Sequence, residues 1–209
     1  MKKKITNKQI HILDVAEELI AKKGFEGTSV REISTKAKIN VAMISYYFGS
    51  KEKMMTYLYQ YRVQKTREIF AEFAETIREG KPEMQMKEII KFIVSQIFKY
   101  NYFHGFVTQE IRQTDHLKNE LLEFYQICVS KIDEVIKKGV ATGAFTNTPK
   151  PEDVWTLLIG TPLFVIRNRS FYAIYVPSNE DLYISETEKK VKANLLVTIF
   201  AVLGYQHQS

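Results

Sequence analysis

The 209-residue chain has a single cysteine, Cys128, so it can form no internal disulfide and cannot build a cysteine-rich metal site. A lone cysteine of this kind reads as a small buried residue in a reducing compartment. Long apolar runs are missing as well. The longest, Val154–Ile166 and Ala193–Leu203, fall short of the roughly 20 residues a bilayer-crossing helix needs. No signal-peptide core follows the basic start M-K-K-K-I-T-N-K-Q-I, because Asp14, Glu17 and Glu18 break the next stretch. Strand signals are scarce: there is no Asn-Gly or Asp-Gly hairpin turn, and only Phe171–Val176 has a β-rich composition, ended by Pro177. The histidines (His11, His104, His116 and His207) are scattered, and no acidic cluster or Ser-His-Asp order suggests catalysis or metal binding. These absences predict a soluble, cytoplasmic, all-α protein with no cofactor, no metal and no membrane association, and not an enzyme.

What is present is helical periodicity and an uneven charge. The net charge is +6, and residues 1–60 hold 11 Lys/Arg against 6 Asp/Glu, whereas the remainder holds 19 against 18. The basic excess lies in the first quarter, which points that part toward an anionic partner. Ile10, Leu13, Ala16, Leu19 and Ile20 recur at helical spacing, so a first helix is expected over Asn7–Lys23 with Gly24 as its stop. Ser29 and Glu32 match a capping box and start a second, short helix ending near Lys36 or Ala37. Asn40 is a good N-cap for a third short helix through Tyr47, Gly49 breaks it, and Ser50 caps a fourth beginning at Lys51. Two short helices joined by about three residues behind a longer one form a helix-turn-helix, here over residues 29–48. Leu13, Leu19, Phe25, Val30, Ile33, Ile39, Ile44 and Phe48 are its candidate core.

The expected division is a three-helix head over residues 1–50 and a larger helical domain over 51–209. Long helices are expected near 51–79, 83–100, 102–113, 116–138, 152–170 and 186–205. In the fourth of these, Leu117, Leu121, Phe124, Cys128, Ile132 and Val135 make one apolar stripe. The last two are apolar nearly all round, as expected of helices covered from two sides. A second copy of the chain can supply the other side, which predicts a homodimer through these two helices.

A helix-turn-helix on a basic module suggests duplex DNA, with its second helix in the major groove. On that helix Ile44 and Phe48 face inward, leaving Val41, Ala42, Ser45 and Tyr46 outward, with Asn40 and Met43 beside them. Val41 and Ala42 suit thymine methyls, and Ser45 can donate or accept. Tyr46 offers a ring and hydroxyl at the groove wall, and Tyr47 can pack its ring while its hydroxyl meets a phosphate. Phosphate contacts are expected from Thr28 and Ser29 at the second helix N-terminus, from Arg31, from Lys38 in the turn, and from Lys51.

The stretch I-L-D-V-A-E-E-L-I-A-K-K-G-F-E-G-T-S-V-R-E-I-S-T-K-A-K-I-N-V-A-M-I-S-Y-Y-F-G-S-K-E-K-M resembles the TetR-type transcriptional regulators. The match covers residues 8–60, about a quarter of the chain. It departs from the family at Lys38, where glycine is usual, and at Ser45, where tyrosine is common. A phosphate-contacting tyrosine therefore carries over only to Tyr46 or Tyr47. The resemblance implies a dimeric repressor, or less often an activator, bound to a double-stranded DNA operator. It further implies a C-terminal domain that binds a small molecule and changes the spacing of the two heads. For that effector the sequence offers Tyr102, Phe103, His104, Phe106, Gln109, Tyr125 and Trp155, a set that suits a largely apolar ligand. The same residues are compatible with an aromatic core that binds nothing. A helical enzyme or an adaptor using that aromatic region is the competing reading.

Overall fold

The computed structural model describes residues 5–101, 115–176 and 179–206. Among them every regular element is helical: α1 Asn7–Lys23, α2 Val30–Lys36, α3 Ala42–Phe48, α4 Lys51–Thr76, α5 Pro82–Lys99, α6 Asp115–Ala141, α7 Pro151–Arg167, α8 Arg169–Tyr172 and α9 Glu180–Leu203. The helix expected over 102–113 lies outside the described residues. The β-rich stretch after Phe171 is not a strand: it finishes α8 and continues as a 3₁₀ turn, Ala173–Tyr175. The Ala173 N–H donates back to the Arg169 carbonyl, and the Tyr175 carbonyl accepts from the Lys190 ammonium of α9 at 3.0 Å.

The helix limits have local causes. At the start of α1, the Thr6 side chain accepts the Gln9 N–H and the Gln9 side chain accepts the Thr6 N–H, a reciprocal cap. Pro82 and Pro151 open α5 and α7, where a missing N–H costs nothing. Asn179 caps α9 through Leu182 N–H, and Gly204 closes it in the left-handed region.

The chain forms two compact units, Met1–Ile69 with Gly105–Leu121, and Phe70–His104 with Leu122–Ser209. The boundary falls within α4, so its first five turns belong to the first unit. In the first unit Ile12, Leu13, Ala16, Leu19 and Ile20 of α1 are buried, as are Ile33, Ala37, Ile44 and Phe48, and Met54, Leu58 and Tyr59 of α4. Phe25, Val30 and Ile39 are only half-buried. Polar ties brace the same elements. Arg62 of α4 donates to both carboxylate oxygens of Glu17 on α1, with side chains only 4% and 12% exposed. Tyr61 donates to Asp14 at 2.8 Å, and Lys65 donates to Tyr61 at 2.8 Å.

In the second unit α5 packs against α7 and α9. Its Met86, Ile89, Ile90, Ile93, Val94 and Ile97 meet Cys128, Ile132 and Val135 of α6, Val154, Leu158 and Val165 of α7, and Val191, Leu195 and Ile199 of α9. Burial pushes the Cys128 thiol far up, so it is a packing residue and not a nucleophile. A methyl on Gly139 would collide with the Phe145 ring, so only glycine lets that ring close the end of α6. The outer faces of α7 and α9 are uncovered in the single chain: Gly160 and Phe164 on one, Ala193, Val197 and Ala201 on the other. The described helices include none long and apolar enough to cross a membrane.

Candidate nucleic-acid interface

The helix-turn-helix forms because each of its residues meets a local requirement. Ser29 accepts the Glu32 N–H at 3.2 Å, and Glu32 accepts the Ser29 N–H at 2.9 Å. Glu32 also pairs with Lys23 at 2.6 Å. The lysine, and after it the Ser29 donors, hold the Glu32 carboxyl down to about 2. After α2 the chain turns through Lys38 at φ 55, the left-handed region that a lysine adopts at a cost. Asn40 then accepts the Ala42 N–H on its side chain at 2.9 Å and the Met43 N–H on its carbonyl at 2.9 Å. The helix begins at Ala42 with Val41 as its half-in residue, one residue later than Asn40 as N-cap predicts. Gly49 ends α3 at φ 86, and Ser50 accepts the Lys53 N–H at 3.2 Å to start α4.

The seven residues of α3 divide by direction. Ile44 and Phe48 are 1% and 3% exposed and anchor the helix, Phe48 edge-on to Tyr57 at 5.4 Å. Val41, Ala42, Ser45 and Tyr46 are exposed together, with Tyr46 at 79%. The Tyr46 ring stands edge-on to Tyr47 at 5.1 Å, which limits its swing. Tyr47 and Met43 are half-buried between these faces. A short helix held by two inward side chains, with a small-residue strip and one tall ring outward, has the shape that enters a major groove.

The residues proposed around this helix for phosphate differ in availability. Arg31 and Lys38 are exposed, the first on the opening turn of α2 and the second in the turn. Thr28 is withdrawn: it is 1% exposed, and its hydroxyl donates to the Gly24 carbonyl at 2.8 Å, stapling the α1–α2 link. The Ser29 hydroxyl is engaged in the reciprocal cap, and Glu32 already places an anion at that helix start. That leaves the Val30 and Arg31 N–H groups, which have no intrahelical partner, as the donors of this turn. Lys51 is half-buried, its ammonium donating to the Phe25 carbonyl at 2.7 Å and sitting 4.0 Å from the Phe25 ring centre. Nothing in the order of residues placed Lys51 on Phe25, 26 positions earlier. The only hint was an aromatic in a link otherwise made of small and polar residues.

Of the side chains suggested for an effector, Tyr125 and Trp155 come together edge-on at 5.3 Å in the second unit. Tyr102, Phe103, His104, Phe106 and Gln109 lie outside the described residues. Among the described residues no group of His, Cys, Asp and Glu could hold a metal ion.

The pattern of bacterial regulatory proteins of the tetR family matches residues 12–58, and that of the tetracyclin repressor-like C-terminal domain matches residues 82–196. The chain belongs to the TetR family. It is a DNA-binding transcriptional regulator, with a helix-turn-helix head and a helical C-terminal domain. A probable HTH-type transcriptional regulator of Bacillus subtilis, YttP, is 29% identical over 180 residues, covering 84% of this chain and 79% of that protein. The HTH-type transcriptional repressor NicS of Pseudomonas putida is 26% identical over 197 residues, covering 90% and 87%. Among solved structures, a TetR/AcrR regulator from Thermobifida fusca superposes with a TM-score of 0.68 at 21% identity, covering 91% of this chain and 97% of that one. Bacillus subtilis FadR, solved in complex with stearoyl-CoA, does so with a TM-score of 0.57 at 18% identity, covering 90% and 97%.

Proposed function

We propose that this TetR-family protein works in the cytoplasm as a homodimeric repressor whose two heads read the half-sites of a duplex operator. The observation that carries the reading is the exposed strip Val41, Ala42, Ser45 and Tyr46 on a helix anchored by Ile44 and Phe48. Val41 and Ala42 meet thymine methyls, Ser45 reads a base edge, and Tyr46 stands at the groove wall. Asn40, Met43 and Tyr47 flank them, while Arg31, Lys38 and the first-turn N–H groups of α2 meet phosphates. Thr28, Ser29 and Lys51 act by fixing the shape of the head. Selection of duplexes from a random pool tests this. A two-fold operator with half-sites about 34 Å apart, or a multiple of that, is the expected product; recovery of unrelated sequences alone would overturn it.

The dimer uses the outer faces of α7 and α9. Gly160 supports this: a Cβ there meets nothing within 4 Å in the single chain, yet a mid-helix glycine costs about 1 kcal/mol against alanine. A partner helix approaching closely at that point explains the glycine. Gly160→Leu should therefore yield a monomer in light scattering, whereas a dimer of unchanged strength refutes the face.

The effector is a largely apolar small molecule bound in the second unit, where Tyr125 and Trp155 offer aromatic walls. The stearoyl-CoA bound to B. subtilis FadR makes a long acyl chain the first class to try. A ligand releases the operator only by binding the other spacing of the heads more tightly. Stearoyl-CoA titrated into the protein–operator complex should release DNA. Retention at saturating ligand excludes that class and leaves the DNA reading standing.

A further inference from the structure

Between α7 and α9 the chain runs through α8 and the 3₁₀ turn Ala173–Tyr175, and it carries apolar side chains on the outside there. Phe171 is 50% exposed, Ile174 72% and Tyr175 55%, and none of the three belongs to the core. They continue from Phe164 near the end of α7, itself 55% exposed. The Phe164 and Phe171 rings lie edge-on at 6.4 Å, and Phe171 and Tyr175 edge-on at 5.4 Å. Three half-exposed rings, at about 100 Å² each, make about 300 Å² before Ile174 is counted. A contiguous apolar patch of that size marks a contact surface on a soluble protein. The stretch is held from behind. Tyr172 packs against the core of the second unit, and Val176 is buried. Arg169 lies 5.0 Å from the Tyr183 ring centre of α9, and the Tyr183 hydroxyl donates to the Arg169 carbonyl at 3.4 Å. Lys190 of α9 lies 5.2 and 5.8 Å from the Tyr172 and Tyr175 ring centres. Side chains already fixed in this way lose little freedom on binding, which makes them good anchors.

We propose that this stretch is a dimer arm: Phe171, Ile174 and Tyr175 seat on a second copy of the chain, beyond the α7 and α9 faces. The inference rests on the dimer reading and adds a third element to it. Continuity selects the occupant. Phe164 belongs both to the outer face of α7 and to the patch, so a copy that covers Gly160 and Phe164 reaches Phe171 one ring further on. Need points the same way. On the helix faces, Gly160, Ala193 and Ala201 permit close approach but bring little area. A stable interface takes about 800 Å² from each partner, with aromatic side chains prominent among its strongest contacts. The arm supplies such side chains at the edge of a face that has few.

The test is the dimer dissociation constant of the full-length protein, from a dilution series in the analytical ultracentrifuge. Ile174→Ser should raise it at least about tenfold, the effect of one buried methylene per copy counted twice in a two-fold dimer. Adding Phe171→Ser should raise it further. Ile174→Leu should keep the wild-type constant, and so should Ile127→Ser, which removes another exposed apolar side chain, on α6. Ile174 bears no core load, so the circular dichroism of Ile174→Ser should match the wild type. Photoreactive p-benzoylphenylalanine in place of Ile174 should cross-link to a second chain. A wild-type dissociation constant for Ile174→Ser overturns the inference, and so do cross-links confined to one chain. Capture of the wild type but not of Ile174→Ser by phosphatidylglycerol vesicles, at an unchanged dimer constant, would give the patch to a lipid surface and overturn it too. If Gly160→Leu leaves a dimer that Ile174→Ser dissociates, the arm stands and the helix faces fall. A wild type that is monomeric at every concentration would instead sink the dimer reading, and the arm with it.

Discussion

The two units are held together by different means. The second is built on a broad aliphatic core around α5, and its interior is silent about partners. The first is smaller. To its core it adds polar braces: Glu17 to Arg62, Asp14 through Tyr61 to Lys65, Glu18 to Lys36, Lys23 to Glu32, and Lys51 on Phe25. Braces fix geometry with direction, which a greasy core does less well. A reading head must hold α3 at one angle, so directional ties suit it.

The sharpest way to break this contrast is at the buried pair. Arg62→Leu leaves Glu17 buried without its cation and should destabilise the first unit by about 3–5 kcal/mol. Replacing both, Glu17→Leu with Arg62→Leu, should recover most of that loss, because two apolar groups of similar bulk need no solvation. Hydrogen exchange of α1 amides, followed separately from those of α5, measures it. Equal loosening of α5 would show that the units do not melt independently.

Next in size is an effect on binding and not on folding. Tyr46→Ala removes an exposed ring that bears no core load, so melting should hardly change. Operator affinity should fall by roughly 5–150-fold, the range for losing about 1–3 kcal/mol of groove contact. Unchanged affinity by fluorescence anisotropy would remove Tyr46 from the interface.

These two predictions mark what could be read from sequence. The bounds of α1, the reciprocal cap at Ser29, the stop at Gly49 and the inward pair Ile44 and Phe48 all follow from spacing and local chemistry, and the structure agrees. The braces could not be read. In the sequence Glu17 only interrupts an apolar stretch, and it is α4, 45 residues on, that brings Arg62 over it. Thr28 looked like a phosphate ligand because a threonine before a helix often is one; its burial depends on how the α1–α2 link folds back. The β-rich composition of Phe171–Val176 makes no strand for a related reason, since propensity yields to context.

Lys51 falls between the two kinds of residue. Lys51→Ala removes a charged hydrogen bond and a cation over a ring, and should cost the first unit about 1–2 kcal/mol. If its role is bracing, Lys51→Ala should keep the wild-type slope of log DNA affinity against log salt once the fraction folded is accounted for. A slope flattened by one full unit would return it to the phosphate contacts.

Acid should touch the first unit through Glu32. Its folded value, about 2, lies below the ordinary carboxylate range, so its contribution is fully present above about pH 4.5 and is lost as pH falls toward 2. The stability of Glu32→Gln should therefore depend less on pH across that window, measured by thermal melts of α1 and α2.

The smallest effect has the opposite sign. Lys38 sits at φ 55, where a side chain costs about 1–2 kcal/mol and glycine costs little. Glycine gives back part of this through the greater freedom of its unfolded chain. Lys38→Gly should therefore stabilise the first unit by about 0.5–1 kcal/mol while leaving the second unchanged. It should also weaken DNA binding at low salt if the ammonium meets a phosphate. A gain in melting together with a loss in affinity would show that this turn trades backbone ease for charge. A gain in melting with no change in affinity would show that the lysine is merely tolerated there, and would move the electrostatic weight of the turn to Arg31.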